Sequence, residues 1–243
     1  MAATGEKIWI IGGGSGIGMA LAKAYARRGA RIVVSGRKQD ALDTVVAELG
    51  AGHAFVVADV VDPVSLERAA AAHGPFDRVI VTAAGYDPGP VLKADQKKAE
   101  AIFAANLTGT FNVARCAAGN LRKGGQLVLF GSAAALFGLP QGQVYSATKA
   151  GIVNLAQSLR VELAPEVDVR LVTPGFVRTP LTDQNDFDMP ALLEPEDAAQ
   201  RIVRGLDGKS FEIAFPRRLI WPLRLLGILP YAISLPIAAK LKR

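Results

Sequence analysis

One cysteine and two histidines in 243 residues leave little to build a disulfide or a metal centre from. Cys116 has no thiol partner in the chain, and the scattered His53 and His73 do not complete a zinc site with it, so no metal is expected. Cys116 reads instead as core or interface packing. No linker, internal repeat or low-complexity tract divides the chain, and a 50% hydrophobic content is ample for one large core. The start, from Met1 through polar residues, lacks the charged, apolar and small-residue zones of a secretion signal, which predicts a cytoplasmic location. Nor is there an uninterrupted apolar run of the about 20 residues that a spanning helix needs. The excess of cations, +6 in all, is concentrated: Arg217, Arg218, Arg224, Lys240, Lys242 and Arg243 lie in the last 27 positions, and the rest is close to neutral. No nucleic-acid motif accompanies them, so nucleic acid is not an expected partner.

What is present begins with glycine. Ile8-Trp9-Ile10-Ile11 is a short apolar run suited to a strand buried on both faces. After Gly12-Gly13-Gly14-Ser15-Gly16-Ile17-Gly18, the residues Ile17, Ala20, Leu21, Ala24 and Tyr25 recur at helical spacing, and Gly29 stands where a helix C-cap belongs. Strand, glycine turn and helix in that order make an anion cradle, because glycine lets backbone approach a phosphate and the helix N-terminus attracts it. A P-loop would need Lys-Ser/Thr after the last glycine; Met19 and Ala20 are there instead, which excludes a nucleotide triphosphatase of that kind.

Further strands are predicted at Arg31 to Ser35, Ala54 to Val57, Val79 to Thr82, Gln126 to Phe130, Val167 to Val172 and Glu212 to Phe215. Helices are predicted near Asp40 to Leu49, Val64 to Ala72, Asp95 to Ala118, Val144 to Ala164 and Pro195 to Leu206. Such alternation predicts an α/β fold, a Rossmann-type doubly wound parallel sheet of seven strands, in one catalytic domain over residues 1–216 with a tail over 217–243. Ligands bind such sheets beyond the carboxyl ends of the strands. The glycine turn, Ser132 and Pro174-Gly175 all follow predicted strands.

Tyr145 and Lys149 are four apart, so a helix places them on one face, and Ser132 lies thirteen residues before the tyrosine. With these residues the chain resembles the short-chain dehydrogenase/reductase family over roughly residues 5–215. The family's Gly-x-x-x-Gly-x-Gly turn matches Gly12, Gly16 and Gly18, its Tyr-x-x-x-Lys matches Tyr145 and Lys149, and its serine matches Ser132. Its helix asparagine matches Asn106, and its Pro-Gly-x-x-x-Thr matches Pro174, Gly175 and Thr179. Two positions depart: Ile11 stands where the family often has threonine, and Thr82-Ala83-Ala84-Gly85 replaces Asn-Asn-Ala-Gly, removing amides that support the cofactor bed.

The resemblance implies hydride transfer between a nicotinamide and a carbon bearing oxygen. Tyr145 would be the general acid or base, Lys149 would lower its pKa and bind the nicotinamide ribose, Ser132 would orient the substrate oxygen, and Asn106 would hold a water linking Lys149 to solvent. The cofactor bed would comprise Gly12, Gly14, Ser15, Gly16, Ile17, Gly18, Asp59, Val60, Ala84, Gly85, Tyr145, Lys149, Pro174, Gly175, Val177 and Thr179. At the end of the second strand Gly36 occupies the place where NAD-preferring members put an aspartate, and Arg37 and Lys38 follow, which favours NADP(H) over NAD(H); the two cations otherwise form a solvated turn. Asp59 either caps the adenine region or starts a helix, a task that Asp62 also suits.

Residues 180–193 form the expected lid, and Phe187, Met189, Leu192 and Leu193 in it point to an apolar small-molecule substrate. The tail, broken by Arg224, Pro222, Pro230 and Pro236, either lies on a membrane surface, packs on a neighbouring subunit or covers the substrate cleft. Association into a homodimer or homotetramer is implied by the resemblance of the helices bearing Asn106 and Tyr145. A non-catalytic dinucleotide sensor or scaffold with the same fold is the alternative, although a sensor has no need of Ser132, Tyr145 and Lys149 together. An epimerase is disfavoured by the roughly 90 residues that follow Lys149.

Overall fold

The computed structural model describes residues 5–240; Met1, and Lys242 and Arg243 of the basic end, lie outside the described residues. Seven strands, β1 Lys7–Ile11, β2 Arg31–Gly36, β3 Ala54–Val57, β4 Phe76–Val81, β5 Leu121–Phe130, β6 Val167–Pro174 and β7 Glu212–Phe215, form one sheet in the order β3-β2-β1-β4-β5-β6-β7. Every neighbouring pair is parallel. The strand order reverses between β1 and β4, and the crevice beyond their carboxyl ends is where a doubly wound sheet receives its ligand.

Nine helices are described: α1 Gly16–Ala26, α2 Gln39–Leu49, α3 Pro63–His73, α4 Gln96–Phe103, α5 Gly109–Ala118, α6 Gln143–Glu162, α7 Pro195–Leu206, α8 Arg217–Ile228 and α9 Tyr231–Ala239. They explain why the strands are apolar almost throughout. In β1, Ile8 and Ile10 enter a core that includes Leu21 and Tyr25 of α1, Leu42 of α2 and Ile202 of α7. Trp9 and Ile11 enter the opposite core with Leu66 of α3, Val113 of α5 and Ile152 of α6. The period of two along the strand thus serves two cores at once. The Trp9 indole has a polar handle to satisfy, and its N–H donates to Ser35 Oγ at 2.6 Å.

Two expectations change. The helix predicted from Asp95 to Ala118 is two helices, α4 and α5, joined by a π turn at Ala104–Thr108. That wider turn swings Asn106 fully inside, which periodicity alone does not reveal. Strand β5 begins at Leu121, earlier than predicted, because its polar start pairs with β4 across a register shift between Phe76 and Arg78. The tail forms α8 and α9, with Pro222 and Pro236 inside them.

Candidate active site

The glycine turn is tight because its neighbours leave no room for side chains. A Cβ on Gly12, whose φ is +91°, would stand 2.5 Å from the Ala83 amide nitrogen, and one on Gly18 would collide with the Gly12 carbonyl. On Gly16, at φ +51°, it would meet Thr179 Cγ2 at 2.9 Å, so the segment after β6 closes over the turn. Gly14 is less constrained: its Cβ would meet Ala41 at 3.4 Å, an ordinary contact. Ser15 occupies the N-cap of α1 without a side-chain capping bond, and Gly16 and Ile17 form the helix's first residues. This geometry fits the diphosphate of a dinucleotide, with backbone exposed to it and a helix N-terminus aimed at it.

The altered segment after β4 keeps its anchorage through other atoms. Thr82 Oγ1 and both the Thr82 and Ala83 amides donate to the Ile11 carbonyl, at 3.0, 2.8 and 3.0 Å. Ala84 and Gly85 follow, and Gly85 is held by Asn106 on both sides: its N–H donates to Asn106 Oδ1 at 2.6 Å, and its carbonyl accepts from Nδ2 at 3.0 Å. The same Nδ2 donates to Thr148 Oγ1 at 3.0 Å. These bonds make Asn106 a clamp between the β4 loop and α6.

Around the rim, Asp59 accepts from the Val61 N–H at 3.1 Å, while Asp62 is the residue that caps α3, accepting from Val64 N–H at 3.1 Å. The helix-start role thus goes to Asp62 and leaves Asp59 at the end of β3 beside the buried Val60. Arg37 and Lys38 are exposed after Gly36, and neither forms an ion pair among the described residues. Pro174 ends β6, Gly175 N–H donates to Phe215 O at 2.7 Å, and Val177 is buried and bridged to Leu193.

At the centre, α6 presents Tyr145 and Lys149 on one face, with the lysine Nζ 5.6 Å from the centre of the phenol ring. Ser132 follows β5 in extended backbone, its hydroxyl accepting from Ala134 N–H at 3.1 Å. Burial pushes the Tyr145 phenol up to about 12, hydrogen bonding with Ser132 pulls the other way, and Tyr86 adds to the rise. Lys149 was expected to lower this value. Its amine instead donates to the Phe130 carbonyl at 2.8 Å, and burial pushes its own pKa down to about 8.

Sequence reasoning missed Tyr86, which has no motif to mark it. Its ring stands edge-on to Tyr145, centroids 4.9 Å apart, and its hydroxyl donates to Asn185 Oδ1 at 2.7 Å, joining the expected lid to the centre. The lid's apolar residues turn inward: Phe187 packs edge-on against Phe176 at 5.7 Å, and Leu193 packs against the core. Helix α8 closes one flank, with Leu219 against Gly175 and Gly227 against the Leu136 carbonyl.

Known proteins resemble this chain in sequence and in fold. An uncharacterized oxidoreductase of Myxococcus xanthus (strain DK1622) is 32% identical over 91% of each chain. The 11-beta-hydroxysteroid dehydrogenase-like 2 of Arabidopsis thaliana is 28% identical, over 93% of this chain and 79% of that one. A short chain dehydrogenase from Burkholderia cenocepacia J2315, solved in complex with NADP, superposes with a TM-score of 0.85 at 26% identity over the whole of both chains. The family model described as short chain dehydrogenase matches residues 6–189, from the first strand through most of the lid. With motif order, sheet order and relatives in agreement, the chain belongs to the short-chain dehydrogenase/reductase family.

Proposed function

We propose that this chain is an NADP(H)-dependent oxidoreductase that interconverts a carbonyl and an alcohol on an apolar substrate. One observation carries the reading: Ser132 hydrogen-bonds with Tyr145, Lys149 stands 5.6 Å from the centre of the same ring, and they lie at the carboxyl edge of the sheet that also carries a glycine turn too tight for side chains. When bound, the dinucleotide supplies or accepts the hydride. Tyr145 gives its proton to the substrate oxygen in reduction and takes one in oxidation. The Ser132 hydroxyl donates to the same oxygen and holds it in line. Lys149, when protonated, steadies the phenolate that proton donation leaves. Asn106 keeps the Gly85 backbone and α6 in register. Gly36 leaves room, and Arg37 offers charge, for a ribose 2′-phosphate that an aspartate would repel. The apolar substrate is supported by the steroid dehydrogenase name of the Arabidopsis relative. Association through α4, α5 and α6 belongs to the same reading, since Phe103, Phe111 and Val161 stand exposed there.

The test is oxidation of NADPH against a panel of long-chain ketones, steroids and small carbonyls. Tyr145→Phe is expected to lose turnover by about 10²- to 10⁴-fold while NADPH binding, followed by its fluorescence, stays near wild type. Near-normal turnover by this variant would remove the phenol from the chemistry. Arg37→Ala is expected to weaken NADPH binding about tenfold and leave NADH binding unchanged. Faster hydride transfer with NADH in the wild-type protein would overturn the cofactor assignment.

A further inference from the structure

We infer that α8 and α9 form a docking surface for an anionic phospholipid bilayer. Helix α8 is fixed to the domain by one side: Ile220 is buried, Leu219 meets Gly175, Gly227 meets the Leu136 carbonyl, and Arg224 pairs with Glu212, which in turn accepts from Thr173 Oγ1 at 2.6 Å. What remains outward is apolar. Trp221, Leu225 and Ile228, at positions i, i+4 and i+7, are 63, 55 and 79% exposed. Helix α9 follows with Tyr231, Ile233 and Ile237 exposed, while Ser234 and Ala238 are buried and Leu235 faces the cavity beside Phe137 and Ala147. An apolar face of this kind seeks cover.

Charge decides what covers it. After Glu212 the sequence has six cations and no acidic residue. Arg217, Arg218 and Lys240 are exposed beside the apolar face and form no ion pair among the described residues. A twofold dimer built on this face would set those cations against an identical acid-free segment, because an isologous interface meets itself. An anionic lipid surface complements both features: headgroups take the cations, and the indole and phenol sit at the interface. Among the described residues no helix is long and apolar enough to cross a bilayer, so α8 and α9 lie along it. Because α8 packs on Gly175 and Leu136, docking brings the flank of the candidate active site to the lipid surface.

The experiment is flotation of the full chain with phosphatidylcholine vesicles, with and without phosphatidylserine, at low and high salt. Trp221 fluorescence is followed in parallel, because the other tryptophan, Trp9, is fully buried and will not respond. The protein is expected to float with the phosphatidylserine vesicles at low salt, with a blue shift in emission, and to be released by high salt. The double variant Arg217→Gln with Arg218→Gln is expected to partition about 30-fold more weakly, at roughly fivefold per cation. Trp221→Ser with Ile228→Ser is expected to stop flotation, and its unfolding temperature shows that the fold persists. Failure of the wild type to float, equal partition onto neutral and anionic vesicles, or conversion of a sedimenting dimer to monomer by the Trp221/Ile228 variant without lipid binding would each overturn the proposal.

Discussion

Burial moves the two titratable groups at the centre of the site in opposite directions. Tyr145, pushed up to about 12, keeps its proton through the neutral range, which suits it to donate. Lys149, pushed down to about 8, carries its charge below that value and loses it above. Proton donation leaves a phenolate, and a nearby ammonium, 5.6 Å from the ring centre, favours that developing charge. Reduction is therefore expected to hold its kcat/KM up to a pH near 8 and to decline above it as the lysine deprotonates. A pH profile of carbonyl reduction with saturating NADPH checks this, and a rise through pH 8 would contradict it. The tyrosine and lysine themselves were legible in the sequence, since their spacing puts them on one helix face. The direction of the tyrosine's shift was not, because it depends on how deeply two side chains are buried and on a Phe130 carbonyl that captures the amine.

Between elements, the joint that decides the site is Asn106. Its amide satisfies both backbone groups of Gly85 and reaches Thr148, one residue before Lys149, so three elements meet on one side chain. Asn106→Ala leaves the Gly85 N–H and carbonyl without these partners and is expected to cost about 2–4 kcal/mol, two groups at 1–3 each with partial relief by water. The expected signature is a lower unfolding temperature together with a fall in kcat, since the clamp orients α6. An unfolding midpoint equal to wild type would show that the clamp bears no strain of the fold. The helix holding this residue was visible in the sequence as one long periodic stretch. Its π turn was not, because the inserted residue disturbs periodicity by a fraction of a turn. Tyr86 was equally hidden: its role comes from a loop path that brings residues 99 positions apart, Tyr86 and Asn185, into one bond.

Across the whole molecule, the two ends of the sheet do different work. The carboxyl ends gather the glycine turn, Ser132, the Gly85 loop and Gly175, and alternation of strand and helix was enough to foresee that. The opposite end is held by polar contacts that no motif announced. There the buried Arg170 donates to Asp168 Oδ2 at 2.8 Å, to the Ser210 carbonyl at 2.5 Å and to the Gly208 carbonyl at 2.8 Å, tying β6 to the segment that leads into β7. Asp168 also accepts from Arg160 and from Gln126 of β5, and although burial alone would raise its pKa, these cations and hydrogen bonds hold it below the usual carboxylate value. A depressed carboxylate stabilises the fold above its unfolded pKa and ceases to do so as pH falls through the folded one. Arg170→Met is therefore expected to cost about 2–3 kcal/mol, since it strands two carbonyls. For a chain of this size that lowers the unfolding temperature by roughly 5–10 °C. Because the change lies at the end of the sheet away from Tyr145, kcat/KM per folded molecule should match wild type at low temperature. Loss of activity in parallel with the cofactor-binding variants, without a shift in the unfolding midpoint, would mean that the two ends of the sheet are not independent.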